Sequence, residues 1–300
     1  MTELLRIAPE VQQALHEGGA VVALETTLVA HGFPPWVGVE VGQAAEAAVR
    51  SEGAVAATVG VLDGEVVVGL DTGELERFGD AGADARKAGP RDLAACVASG
   101  ELGATTVGGT LAAARLAGIR FMGTGGIGGV HRGFADRPDV SADLAQLTRT
   151  PALVVSSGIK SLLDVPATAE LLETLGVPVL GWRTEELPLF YKAGGGPPVS
   201  QRVESAEEAA QIAQFHWRLG RHSGIVLARP PEDSLDVEPL IEEGIQEAAK
   251  RGVRGQAVTP FVLSYLHERS DGRTIEVNKN LIVENAALAA EVAAAYSKLA

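Results

Sequence analysis

The stretch ALVVSSGIKSLLDVPATAELLETLGVPVL, residues 152–180, decides the fold. Residues 152–156 form an apolar, β-branched run of strand length. Residues 168–175 carry helical spacing, and 177–180 form a second apolar run just past Gly176. A strand that is apolar throughout belongs in a sheet covered on both faces. The same alternation extends in both directions. Residues 20–25, 55–62, 65–70, 120–123 and 224–228 read as further strands. Residues 35–51, 90–99, 110–117, 141–149, 206–219, 237–250 and 281–299 read as helices. This order predicts α/β: one three-layer α/β/α domain over 1–300 with a largely parallel or mixed central sheet. The Pro/Gly cluster at 193–198 and the stretch 229–236 read as loops, because patterned elements continue on both sides.

Composition narrows the function classes. The 300 residues are 46% hydrophobic and 21% charged, enough apolar content for a substantial core and against disorder. With 25 basic and 39 acidic residues the net charge is −14, which excludes a nucleic-acid polymer or an anionic membrane as partner. A single cysteine excludes a disulfide framework and a thiolate zinc cage. The N-terminus lacks the basic and apolar regions of a signal peptide, and the longest apolar runs are too short to span a bilayer. A soluble, cytoplasmic protein is expected. Its 36 glycines and 4% aromatics suit many tight strand–loop–helix junctions.

Four places carry candidate chemistry. The first is RFMGTGGIGGVHRG, residues 120–133. It contains G-x-G-x-x-G after a strand, but no helix opens directly from it, so the dinucleotide reading fails. A plain turn and a backbone nest for one phosphate, aided by Thr124, His131 and Arg132, remain as readings. The second is DVSADL at 139–144. Ser141 or Asp139 can cap a helix with Asp143 in its first turn, or the two carboxylates can serve a hard divalent cation. The histidine spacings give no zinc motif. The third is Lys160. Most lysines are solvated surface charges, but this one follows an apolar run and precedes Leu162 and Leu163. Lost hydration there would lower its pKa and free the amine as a Schiff-base nucleophile. The fourth is Glu25 at the end of its strand, either an exposed cap or a general acid whose pKa is raised by apolar surroundings. Lys87 and Arg91 form a basic pair that is phosphate-facing or merely solvated, and Cys96 reads as a small core residue.

Several long blocks in order resemble the pseudouridine-5′-phosphate glycosidase family, also called indigoidine-synthase-A-like. They are ALETTLVAHGFP at 23–34, TGGIGGVHRG at 124–133, DVSADL, SSGIKSLLDVPATAELLETLGV at 156–177 and NLIVENAALAAEVA at 280–293. The resemblance implies reversible cleavage of pseudouridine 5′-phosphate to ribose 5-phosphate and uracil. It implies one divalent cation per subunit, usually Mn²⁺ with Mg²⁺ as the other choice, and a homotrimer. Lys160 matches the family's nucleophile, Glu25 its proton donor and Asp139 its metal-ligating aspartate. Substrate contacts fall on Lys87, Val107, Ser141, Ala142 and Asp143, with Asn280 or Asn285 from the tail. The chain departs from the family with Ser156-Ser157 where Cys-Ala is frequent, which bears on the shape of the pocket. A lysine aldolase acting on phosphosugars would share Lys160 and the phosphate loop but need no uracil pocket. A non-catalytic phosphosugar-binding module would have no use for Glu25, Asp139 and Lys160 together.

Overall fold

The computed structural model describes residues 4–34, 36–136, 138–254 and 258–299. Pro35, the first residue of one expected helix, and Arg137 lie outside the described residues. Eleven strands form one sheet: β1 (Leu5–Ile7), β2 (Val21–Glu25), β3 (Val55–Leu62), β4 (Glu65–Val68), β5 (Arg86–Ala88), β6 (Gly103–Thr105), β7 (Phe121–Gly123), β8 (Leu153–Ser156), β9 (Val179–Trp182), β10 (Gln201–Val203) and β11 (Ile225–Ala228). Its main path runs β1-β4-β3-β2-β7-β8-β11-β9-β10. Among the described residues these strands pair in parallel, except β3 with β4 and β3 with β6, which are antiparallel.

The helices are α1 (Pro9–His16), α2 (Thr27–His31), α3 (Val37–Ser51), α4 (Thr72–Ala81), α5 (Leu93–Ser99), α6 (Val107–Ala117), α7 (Ala142–Leu147), α8 (Val165–Thr174), α9 (Ala206–Arg218), α10 (Glu238–Lys250), α11 (Val258–Arg269) and α12 (Arg273–Ser297). Successive strand residues point to opposite faces, so each central strand feeds two cores. Val22 and Leu24 pack on one side with Val41 of α3, Ala209 of α9 and Leu288 of α12. Val21 and Ala23 pack on the other with Leu111 of α6, Leu144 of α7 and Leu172 of α8. The strands are thus buried on both faces, which is the three-layer arrangement that the apolar runs predicted.

Two details of the sheet place the site. Strand β2 ends at Glu25, opposite Val59, whereas β3 continues to Leu62. The edge of β3 left free beyond β2 is taken at Gly60 and Val61 by β6, which carries β5 alongside it. The three-residue strand β5 therefore stands near the end of β2. The second detail is the order of connection. From β2 the chain proceeds to β3 on one side, and from β7 to β8 on the other. A crevice opens where the connections diverge, at the carboxyl ends of β2 and β7.

The structure corrects several expected boundaries. Helix α12 begins at Arg273, eight residues before the expected start at 281. Its first turns bury Thr274 and Asn278 on the same stripe as Leu281, Ile282 and Asn285, so polar residues conceal the apolar periodicity. Helix α6 begins at Val107, behind a Thr106 cap whose hydroxyl accepts from Gly109 N at 3.2 Å. Gly108 and Gly109, poor helix formers, hide this first turn. The strands β1, β5, β6 and β10 and the helices α1, α2, α4 and α11 were not expected.

Candidate active site

Glu25, the last residue of β2, is only 4% exposed. Thr124, the first residue after β7, is equally enclosed and donates its hydroxyl hydrogen to Glu25 Oε1. Burial pushes the Glu25 carboxyl well above the usual carboxylate range, against the opposing pull of the Lys160 charge and the Thr124 hydrogen bond. The backbone just beyond Glu25 is fixed by buried threonines. Thr26 Oγ1 donates to Val59 O at 2.8 Å and accepts from Thr105 N at 2.8 Å, while Thr105 Oγ1 donates to the same carbonyl at 2.7 Å. These threonines tie the ends of β2, β3 and β6 together.

Lys87 is the central residue of β5, so the short antiparallel detour of β6 is what delivers it. Burial, then the facing charge of Lys160, hold the Lys87 ammonium below the ordinary lysine range. Lys160 sits on the turn after β8 and is half-buried. Its backbone N–H donates to Ile127 O at 3.1 Å, and Ile127 N donates to Gly158 O at 3.1 Å. Gly158 has φ +86°, and a Cβ there would lie 2.2 Å from Pro188 O, so no other residue fits this turn. Arg132 clamps the far side, donating to Ser161 O at 2.9 Å and Leu163 O at 3.3 Å.

The glycine loop is not a phosphate nest. The N–H groups of Thr124, Ile127, Gly128 and Val130 donate to Val155 O, Gly158 O, Asp143 Oδ2 and Thr168 Oγ1. No glycine between 123 and 129 has positive φ, whereas a nest alternates handedness. These glycines are small because neighbours press on them. A Cβ on Gly128 would lie 2.2 Å from Ser141 Oγ and 2.6 Å from Asp143 Oδ2. Asp143 is correspondingly a fastener. Buried at 4% exposure, it accepts from Gly108 N at 2.8 Å with one oxygen and from Gly128 N at 2.9 Å with the other. It thereby joins the start of α6 to the glycine loop, and both carboxylate oxygens are engaged by backbone. Ser141 caps α7 in the way one sequence reading expected, accepting from Asp143 N at 3.2 Å.

Two cavities meet at this crevice. One, about 540 Å³, is walled by Leu28, Phe33, Leu162, Phe190, Leu263 and Ile282, with Glu25, Thr124 and Asn278 also on its border. The other, about 250 Å³, is polar, bordered by Arg91, Thr106, His131, Asp139, Ser141, Ala142 and Asp143. Lys87, Lys160, Thr27 and Leu162 border both.

The remaining expected contacts are sorted by the fold. Val107 is fully buried and borders neither cavity; at the start of α6 it is the cap residue Thr106 that borders the polar one. Asn280 lies on the exposed face of α12, 3.5 Å from Asp233 Oδ2, and borders neither cavity. The asparagine that does border one is Asn278, which the misplaced helix start concealed. Asn285 is buried behind the loop, donating to Thr124 O and Ser157 Oγ. Ser156 and Ser157 are both fully buried and border neither cavity, so the departure at these positions falls in the packing behind the site. Cys96 is a buried free thiol of the core.

Among the described residues no group of three or more His, Cys, Asp or Glu side chains is placed to hold a metal ion. The half-buried Asp139 carboxylate borders the polar cavity beside His131. Such a donor set suits a hard cation that keeps most of its water, and not a zinc cage. No helix among the described residues is long and apolar enough to cross a membrane.

The arrangement has relatives. The family model described as indigoidine synthase A like protein matches residues 10–295. A pseudouridine-5′-phosphate glycosidase of Herpetosiphon aurantiacus is 49% identical over 300 residues, covering 98% of each chain. One from Caldanaerobacter subterraneus subsp. tengcongensis is 44% identical over 304 residues, covering 100% of this chain and 99% of that one. The crystal structure of the prealnumycin C-glycosynthase AlnA in complex with ribulose 5-phosphate has a TM-score of 0.90 at 38% identity, covering 100% of this chain and 99% of that one. An indigoidine synthase A-like protein from Thermotoga maritima has a TM-score of 0.88 at 37% identity, with 98% and 97% covered. With nearly its whole length matched and Glu25, Lys87 and Lys160 gathered at one crevice, the chain belongs to the indigoidine synthase A-like family.

Proposed function

We propose that the protein reversibly cleaves the C1′–C5 bond of pseudouridine 5′-phosphate, giving ribose 5-phosphate and uracil. The observation that carries this reading is the position of Lys160 on the wall shared by a polar and an apolar cavity, with Glu25 on the apolar side. A bond between a sugar phosphate and a flat ring would cross that wall. The names of the relatives and the pentose phosphate in the C-glycosynthase complex support the same substrate class.

A carbon–carbon glycosidic bond needs this chemistry. Protonating a uracil ring nitrogen creates no leaving group, so ordinary paired-carboxylate hydrolysis is unsuitable. The Lys160 amine bonds to C1′ as the C1′–O4′ bond breaks, and a proton passes from that nitrogen to O4′. Glu25 then protonates uracil C5, and the nitrogen lone pair expels uracil, leaving an iminium between Lys160 and C1′. Water hydrolyses that iminium, restoring the amine, returning a proton to Glu25 and releasing ribose 5-phosphate. The raised Glu25 pKa favours the protonated acid that this step requires.

Lys87 and Arg91 would hold the phosphate in the polar cavity, which Thr106, the cap of the 11-residue helix α6, also borders. A hard divalent cation, Mn²⁺ or Mg²⁺, would be held by Asp139 and otherwise by water, and supplies positive charge beside the sugar oxygens when bound. The same reading takes the protein as a cytoplasmic homotrimer with one cation per subunit, which light scattering and metal analysis test. The decisive assay incubates purified protein with pseudouridine 5′-phosphate and Mn²⁺ and follows uracil. Failure to release uracil, together with failure to condense uracil with ribose 5-phosphate, sinks the reading.

A further inference from the structure

Asn285 lies between the two halves of the reacting machinery without touching either cavity. It is fully buried on α12. Its Nδ2 donates to the carbonyl of Thr124 at 2.9 Å and to Ser157 Oγ at 3.1 Å. The side chain of the first partner donates to Glu25. The second partner opens the Ser157–Gly158–Ile159 turn that leads into Lys160, and its own N–H donates to Gly125 O at 2.9 Å. A carbonyl oxygen only accepts, so the amide orientation is fixed by Thr124. Asn285 Oδ1 is buried with no hydrogen-bond partner among the described residues. An amide that leaves one buried acceptor unmatched so that Nδ2 can bridge two segments is retained at a cost in stability.

We propose that Asn285 is a positioning residue: its amide holds the Thr124–Glu25 pair and the Lys160 turn at one spacing, so that nucleophile and proton donor act on the same bond. The inference rests on the proposed cleavage reaction. It replaces a ligand contact at this position with an indirect role, and it explains why an asparagine stands on an otherwise apolar stripe between Leu281 and Leu288. Leucine or alanine there would pack but could not donate to Thr124 O.

The test is steady-state and trapping kinetics on the full-length protein, wild type beside Asn285→Ala and Asn285→Asp. Small displacements of reacting groups cost about 100-fold in rate. Asn285→Ala is therefore expected to lose about 100-fold in kcat, with KM within about twofold. Borohydride trapping of ribose 5-phosphate on Lys160 should slow in parallel. The Asp variant separates positioning from simple packing. Its carboxylate repels the Thr124 carbonyl at alkaline pH and regains a donor when protonated. Its activity relative to Asn285→Ala should therefore rise as pH falls. A KM rise of about tenfold at unchanged kcat would mean a substrate contact and overturn the proposal. So would unaltered kcat per folded molecule with an unaltered pH profile, which would mean a structural role only. If the wild type itself releases no uracil, the cleavage reading fails instead. The trapping rates then decide: equal rates in wild type and Asn285→Ala overturn positioning as well.

Discussion

Thr124 and Glu25 are joined by a buried hydrogen bond across the seam between β2 and β7, the two strands whose connections run in opposite directions. The bond favours the ionised form of an acid that burial drives toward the neutral form. Thr124→Val removes one charge-assisted bond to the carboxylate and so should raise the Glu25 pKa further. Cleavage needs the protonated acid and fails as Glu25 ionises. The alkaline limb of kcat/KM should accordingly move to higher pH, while the acid limb stays in place. A limb that moves down would show that the hydroxyl does not stabilise the anion.

The same raised pKa makes a statement about stability. Glu25 binds its proton more tightly folded than unfolded, so its contribution is fully present below the unfolded value of 4.5 and is lost as pH rises toward the folded pKa. Glu25→Gln has no such dependence. The stability of wild type relative to Glu25→Gln should therefore decline as pH rises from about 4.5, measured by urea unfolding across pH 4.5 to 8. The Gln variant should also lose about 100-fold or more in kcat while keeping its affinity for ribose 5-phosphate.

Asp143 offers a contrasting case, in which a carboxylate near the ligand acts on the backbone. Asp143→Ala leaves the N–H groups of Gly108 and Gly128 without their acceptor. Each such loss costs about 1–3 kcal/mol, so the two together should make unfolding easier by about 2–6 kcal/mol. Asp143→Asn keeps one carbonyl acceptor and should fall between the two. A variant with native stability would refute the fastening role.

What the sequence made legible follows from how local each signal is. The paired runs at 152–156 and 177–180 are apolar without alternation, the mark of strands buried on both faces, so those strands stand out. Lys87 could be flagged as a basic residue, yet nothing marked its strand. β5 is three residues long and owes its place to the free edge of β3, a long-range condition. Asn278 was hidden because its helix starts with a polar stripe. The glycine loop was misread for a different reason. Clustered glycines signal either unusual backbone or close packing, and a sequence does not distinguish them. Only the neighbours at Gly128 do.

Two glycines therefore test that distinction. Gly133 has φ +80° and open space around it, whereas Gly128 has ordinary φ and Ser141 and Asp143 against it. Gly133→Ala should cost about 1 kcal/mol through backbone strain alone, with kcat retained. Gly128→Ala must displace α7 or the loop, and with them the Asp143 fastening, so it should lose both stability and activity. Equal behaviour of the two variants would return the loop to a conformational explanation.

Lys87 brings the stability and catalytic arguments together. Its pKa is held down by burial and by Lys160, so folding disfavours its charged form. For a lysine lowered in the folded state, stability rises as pH increases from the folded toward the unfolded value, and the penalty is fully present below the folded pKa. Lys87→Met keeps the stem and removes the buried cation. It should raise the melting temperature at pH 6 by more than at pH 9. The same change removes a cation bordering both cavities, so KM for a phosphorylated substrate should rise at least about tenfold, the scale of one lost charge-assisted contact. Affinity for free uracil should change far less. A variant that loses stability at pH 6, or that binds phosphorylated and unphosphorylated ligands with equal loss, would place Lys87 in packing and remove it from phosphate recognition.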